Sequence, residues 1–152
     1  MIEKDCFICQ KHKSDISASK FKIYENNYVY VGHIDNNNQQ SYLGYIMIDL
    51  KRHIPTLGNM NVEESKAFGL IIASVSKALM ECENAEHVYA IVSGDNVPHL
   101  HIHIIPRYLH TPKKFWGPSG VQDWPEAPRG NTQEILEICN RLKSYLENST
   151  YE

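Results

Sequence analysis

From position 99 the chain reads His-Leu-His-Ile-His-Ile-Ile, imidazole and aliphatic side chains in strict alternation. A period of two belongs to a β-strand with unlike faces, because successive side chains point to opposite sides of a sheet. His99, His101 and His103 are therefore expected on one face, with Leu100, Ile102 and Ile104 turned the other way. They cannot share one ion comfortably. At about 3.3 Å per residue the outer α-carbons stand roughly 13 Å apart with parallel side chains, whereas a metal holds each nitrogen at about 2.1 Å. The three must divide their labour, with one end able to coordinate something else and the middle one left for chemistry. The competing reading is a polar strand face whose histidines merely meet solvent or backbone.

The chain carrying this segment has 152 residues, 42% hydrophobic and 22% charged, which is one ordinary soluble domain with enough apolar mass for a core. No apolar run approaches the 18 or more residues of a bilayer span, so no membrane association is expected. The start, Met1-Ile2-Glu3-Lys4-Asp5, lacks the basic and apolar regions of a secretory signal, and the cytoplasm is the expected compartment. A net charge of −3 argues against nucleic acid as a partner, since that binding needs a basic face.

Around the triad the pattern predicts one α+β domain over 1–152, an antiparallel sheet with one long helix and a C-terminal helix. Residues 21–24 and 28–34 read as a hairpin across Asn26-Asn27, and the polar tract at 35–41 as a loop into a third strand at 42–50. Asn61 followed by Glu64 marks the start of a helix over about 62–82, in which Phe68, Ile71, Ile72, Val75 and Leu79 recur at helical spacing. Strands at 87–93 and 99–107 are expected to flank a tight turn at Gly94-Asp95-Asn96. Four prolines and three glycines make 108–131 a loop. Thr132 is the expected cap of a last helix over 132–147.

Two further clusters carry possible chemistry. Cys6 and Cys9 have the Cys-x-x-Cys spacing of a zinc half-site, of a thioredoxin-like redox pair, or of two thiols that simply stay reduced. Gly94 and Asn96, just before the triad, offer backbone N–H groups and an amide to phosphate oxygens, or else form an ordinary hairpin turn. Trp116 and Trp124 are suited to stacking on a base, but anchoring their proline-rich loop is the simpler role.

The stretch HLHIHIIPR, with Cys6-x-x-Cys9 near the start and LKRHIPTL at 50–57, resembles the histidine triad (HIT) family of nucleotide hydrolases and transferases, in its zinc-bearing bacterial form. The resemblance implies a homodimer acting on a purine nucleotide, with His101 as the nucleophile that attacks the α-phosphorus. It implies that His103 hydrogen-bonds the phosphate or leaving group, although a purely structural His103 is also open. It places His33 and Asp35 near the ribose and base, and makes Cys6, Cys9, His53 and His99 the ligands of a zinc ion. Four protein ligands would close the tetrahedron, so that zinc would be structural. The chain departs from the family in Tyr45, where many members have histidine, in Leu50, where proline is usual, and in the short 94–96 turn.

The expected function is hydrolysis of dinucleoside polyphosphates or nucleoside phosphoramidates through a nucleotidyl-histidine intermediate. Two alternatives belong to other classes. One is a catalytic zinc hydrolase in which triad histidines hold an activated water. The other is a nucleotide-binding regulator that makes little use of catalysis.

Overall fold

The structure is a computed structural model in which residues 5–13, 20–37 and 39–149 are described. In chain order they form α1 (Phe7–Lys13), β1 (Lys22–Glu25), β2 (Val29–His33), β3 (Ser41–Tyr42), β4 (Ile46–Leu50), α2 (Val62–Glu83), β5 (Ala85–Ile91), β6 (His101–Tyr108), α3 (Gly120–Asp123), β7 (Arg129–Gly130) and α4 (Thr132–Asn148). The fold is α+β, as expected. Five strands make one antiparallel sheet in the order β1-β2-β4-β6-β5, and β3 pairs with β7 in a separate two-stranded ribbon.

Period-two patterning gives the sheet two unlike faces. Val29, Val31, Ile46, Ile48, Leu50, Ile102 and Ile104 are buried on one side, where Phe68, Val75 and Leu79 of α2 and Ile135, Ile138 and Leu142 of α4 complete the main core. Both helices begin with reciprocal capping boxes. Asn61 accepts from the Glu64 N–H while the Glu64 carboxylate accepts from the Asn61 N–H, and Asn131 and Glu134 repeat the arrangement. Such caps satisfy backbone donors that the first turn leaves orphaned, at about 1 kcal/mol each. Asn131, not Thr132, therefore caps α4, because only a residue outside the helix can turn its side chain back onto the first turn.

Two other expectations change. The strand expected at 42–50 is split: Ser41 and Tyr42 pair with β7, and the main sheet resumes at Ile46. Gly44 between them has φ +85°, and a Cβ there would strike Tyr108 Oη and Pro106, so the chain bends where only glycine fits. The expected tight turn at 94–96 belongs to a longer connection, 92–100, and β6 begins at His101 rather than His99. Leu100 gives its N–H to Ile54 and its carbonyl to Leu50 N–H, pulling the segment before β6 toward the loop that carries His53.

The proline-rich loop is anchored. Trp124 packs with Tyr42, Ile105, Val121 and Ala127, while Trp116 lies 3.8 Å from the Arg107 guanidinium and gives its indole N–H to Thr111 O. No helix among the described residues is long and apolar enough to cross a membrane.

Candidate active site and metal centre

The polar face of the sheet carries the site. Along β6, His101 stands opposite Asp49 of β4, which stands opposite Tyr30 of β2; in the next row His103 faces Met47, which faces Gly32. Residues in direct register share a face, so these six side-chain positions form one continuous floor. The His101 and His103 rings meet at 5.1 Å between centroids.

His101 is 7% exposed and lies on this polar face, away from the aliphatic core. Its Nδ1 lies 2.6 Å from the carbonyl oxygen of His99. A carbonyl only accepts, so Nδ1 carries a proton, and in the neutral ring the lone pair is on Nε2, which has no hydrogen-bond partner among the described residues. His103 Nδ1 lies 2.8 Å from Tyr45 Oη. Burial raises the Tyr45 pKa and keeps the phenol protonated. The phenol donates in this hydrogen bond when the neutral His103 ring carries its proton on Nε2. Burial first, and then the neighbouring His101, lower the His103 pKa and favour its neutral form.

The structure gathers Cys6, Cys9, His53 and His99 so that one ligand atom from each lies within 4.8 Å of all the others. Cys6 Sγ and Cys9 Sγ are each 3.4 Å from His99 Nδ1, Cys9 Sγ is 3.3 Å from His53 Nδ1, and the two Nδ1 atoms are 3.1 Å apart. A tetrahedral zinc ion, with about 2.3 Å to sulfur and about 2.05 Å to nitrogen, separates sulfur from nitrogen by about 3.5 Å and nitrogen from nitrogen by about 3.3 Å. The four residues fit such an ion. His99 Nε2 donates to Leu50 O at 2.6 Å, which leaves Nδ1 unprotonated and turned toward the thiols. His99 is the only triad member in the cluster.

Cys6 and Cys9 also bring α1 onto the polar face. Lys11 Nζ lies 2.5 Å and His12 Nε2 3.1 Å from Oδ2 of Asp49, which is fully buried, and His12 stacks on Tyr30. Burial raises the Asp49 pKa, but the hydrogen bonds and charges of His12 and Lys11 outweigh it and hold the group ionised. Sequence reasoning missed Lys11, His12 and Asp49. The available signal was an aspartate inside the otherwise apolar strand Ile46–Leu50, since a buried charge implies partners.

Beside His103 the floor opens into a groove of about 530 Å³. Gly32, Met47 and Tyr30 of the floor line it together with Phe7 and Lys11 of α1 and with Lys22, Asp35 and Asn37. His33 also borders it, and both of its ring nitrogens are engaged: Nδ1 donates to Ile34 O at 2.8 Å, and Nε2 accepts from Gly44 N–H. The ring is fully used in holding the loop before β4. Asp35 is exposed and pairs with Lys20 at 3.3 Å. Gly94, with φ +76°, and exposed Asn96 lie in the connection that leaves β5 after Ile91, the register partner of His103, and returns at His101.

A HIT domain model matches residues 16–110, and the chain belongs to that family. Among solved structures, a HIT-like protein involved in cell-cycle regulation from Bartonella henselae is similar with a TM-score of 0.68 at 17% identity, covering 95% of this chain and 99% of that one. A zinc-bound histidine triad family protein from Mycobacterium smegmatis gives 0.67 at 15%, with 94% of each chain covered. The diadenosine triphosphate hydrolase of Plasmodium falciparum, in complex with cyclomarin A, gives 0.60 at 18%, covering 86% of this chain and 78% of the other. At these identities the likeness is one of fold. No curated protein matches the chain.

The buried His33 supplies a test of this side of the site. Burial lowers its pKa to about 4 from an ordinary 6.5. The unfolded chain takes up this proton as pH falls through 6.5 while the folded chain does not, so stability is complete above pH 6.5 and declines toward pH 4, by about 3 kcal/mol. Urea midpoints measured from pH 7.5 to 4.5 are expected to fall in the wild type and to fall less in His33→Gln. Equal slopes would contradict the assignment.

Proposed function

We propose that the protein is a nucleotide hydrolase or transferase in which His101 is the nucleophile, acting on dinucleoside polyphosphates or nucleoside phosphoramidates. The observation that carries this reading is the His101 ring, with Nδ1–H held by the His99 carbonyl and Nε2 left unprotonated on the polar face. The Nε2 lone pair forms a bond to the α-phosphorus as the bond from phosphorus to the leaving oxygen or nitrogen breaks. His103 Nε2–H hydrogen-bonds the leaving atom; a nucleotide leaving group departs as its anion, and the amine of a phosphoramidate takes its proton from solvent water. Water then attacks the same phosphorus, the P–N bond breaks, and its electron pair returns to Nε2 as the nucleoside monophosphate leaves. Splitting one displacement into two lowers each barrier.

The groove beside His103 is of a size suited to a small ligand and is the place for the nucleoside, with the Asp35 carboxylate accepting from ribose hydroxyls. Gly94 and Asn96 flank the phosphate position. In this reading Cys6, Cys9, His53 and His99 hold zinc, which supplies a structural cross-link between the N-terminal segment and the sheet. The reading includes a homodimer, as the family resemblance implies.

Rapid quench with α-phosphorus-labelled substrate is expected to trap a nucleotidyl-protein adduct that is absent in His101→Ala, whose turnover drops by about 10³-fold or more. Unchanged turnover would overturn the assignment; nucleotide binding with no turnover across a substrate panel would favour the regulator. Elemental analysis is expected to find one zinc per chain, lost in Cys6→Ser/Cys9→Ser. Full zinc content in that variant would contradict the ligand set.

A further inference from the structure

Lys11 is a lysine held in an unusual way. It sits four residues after Phe7 on α1, so both side chains face the same direction, and both line the groove. Phe7 is 65% exposed at the rim, whereas the Lys11 side chain is only 12% exposed, fixed at 2.5 Å from Asp49 Oδ2 and at 5.2 Å from the centre of the Tyr30 ring. Asp49 takes one of the three ammonium N–H bonds; no other hydrogen bond of Lys11 occurs among the described residues. Lys11 thus belongs to a groove wall that is already ordered, and a ligand meeting its ammonium group pays little further entropy. Lys22, also in the lining, is 42% exposed and tied to Glu25, and has no such preorganisation.

We propose that Lys11 selects the nucleobase, favouring a purine with a keto oxygen beside N7, guanine or hypoxanthine, over adenine. This rests on the nucleoside occupying the groove as described above. With the phosphate at His101 and the ribose at Asp35, the base extends toward α1. There Phe7 stacks on its face, which any base permits. The edge is discriminated by charge. O6 and N7 of guanine are adjacent acceptors that an ammonium satisfies together, whereas adenine places an N6 amino donor where O6 would be, donor against donor.

Equilibrium titration with monophosphates separates this step from catalysis. GMP and IMP are expected to bind wild-type protein about fivefold to a hundredfold more tightly than AMP, the range of one two-acceptor contact. In Lys11→Met the ratio should collapse toward one, and Lys11→Arg should retain a preference. Because Lys11→Met removes one partner of a buried carboxylate, 7-deaza-GMP on the unaltered protein gives an independent reading: losing N7 should erase part of the advantage. AMP binding as tightly as GMP, or 7-deaza-GMP binding as tightly as GMP, overturns the inference. So does equal weakening of both nucleotides in Lys11→Met, which would make Lys11 a phosphate contact. If no nucleotide binds the wild type at all, the proposed function falls and takes this inference with it; adduct formation at His101 without base preference removes the inference alone.

Discussion

The site depends on the backbone carbonyl of His99. It fixes a proton of His101 on Nδ1 at 2.6 Å, and so fixes which nitrogen holds the lone pair of the neutral ring. The same residue's ring meets Cys6, Cys9 and His53 through Nδ1 and the Leu50 carbonyl through Nε2. One residue thus joins the Cys/His cluster, the end of β4 and the tautomer of the neighbouring histidine. Its place just before β6 matters. A residue paired within the ladder would have its carbonyl committed to the neighbouring strand, whereas outside the ladder that oxygen can accept from a side chain.

The rest of the architecture serves to keep one sheet face polar. Valine, isoleucine and leucine on the opposite face bury against α2 and α4, the apolar contacts that stabilise the domain. The polar face then carries histidines, a buried aspartate and tyrosines that contribute little to that core. Asp49 would be costly there alone, and α1 offsets the cost by delivering Lys11 and His12 onto its carboxylate. The Cys/His cluster positions α1, so that cluster, the buried ion pairs and the groove wall are joined through seven helical residues.

Much of this was legible in the sequence because periodicity reports faces directly. The alternation at 99–105 placed His101 and His103 together on the polar side, and the capped apolar pattern from Asn61 located α2 to within a residue. What eluded the sequence was set by contacts distant in the chain. Forty-three residues separate Cys9 from His53 and 45 separate His53 from His99, so nothing local dictates that cluster, and only the family resemblance pointed to it. The exit of His99 from the strand and the splitting of 42–50 follow from Leu100 bonding to Ile54 and from the bend at Gly44. The hydrogen bonds of His33 are of the same kind, since its two nitrogens are held by backbone groups, one of them, Gly44 N–H, brought to it by folding.

The most direct test of the account is the tautomer of the His101 imidazole, read from its ¹⁵N shifts and ring proton couplings in the resting protein near neutral pH. The account predicts a protonated Nδ1 and a bare Nε2. A ring protonated at Nε2, with Nδ1 bare, would contradict it.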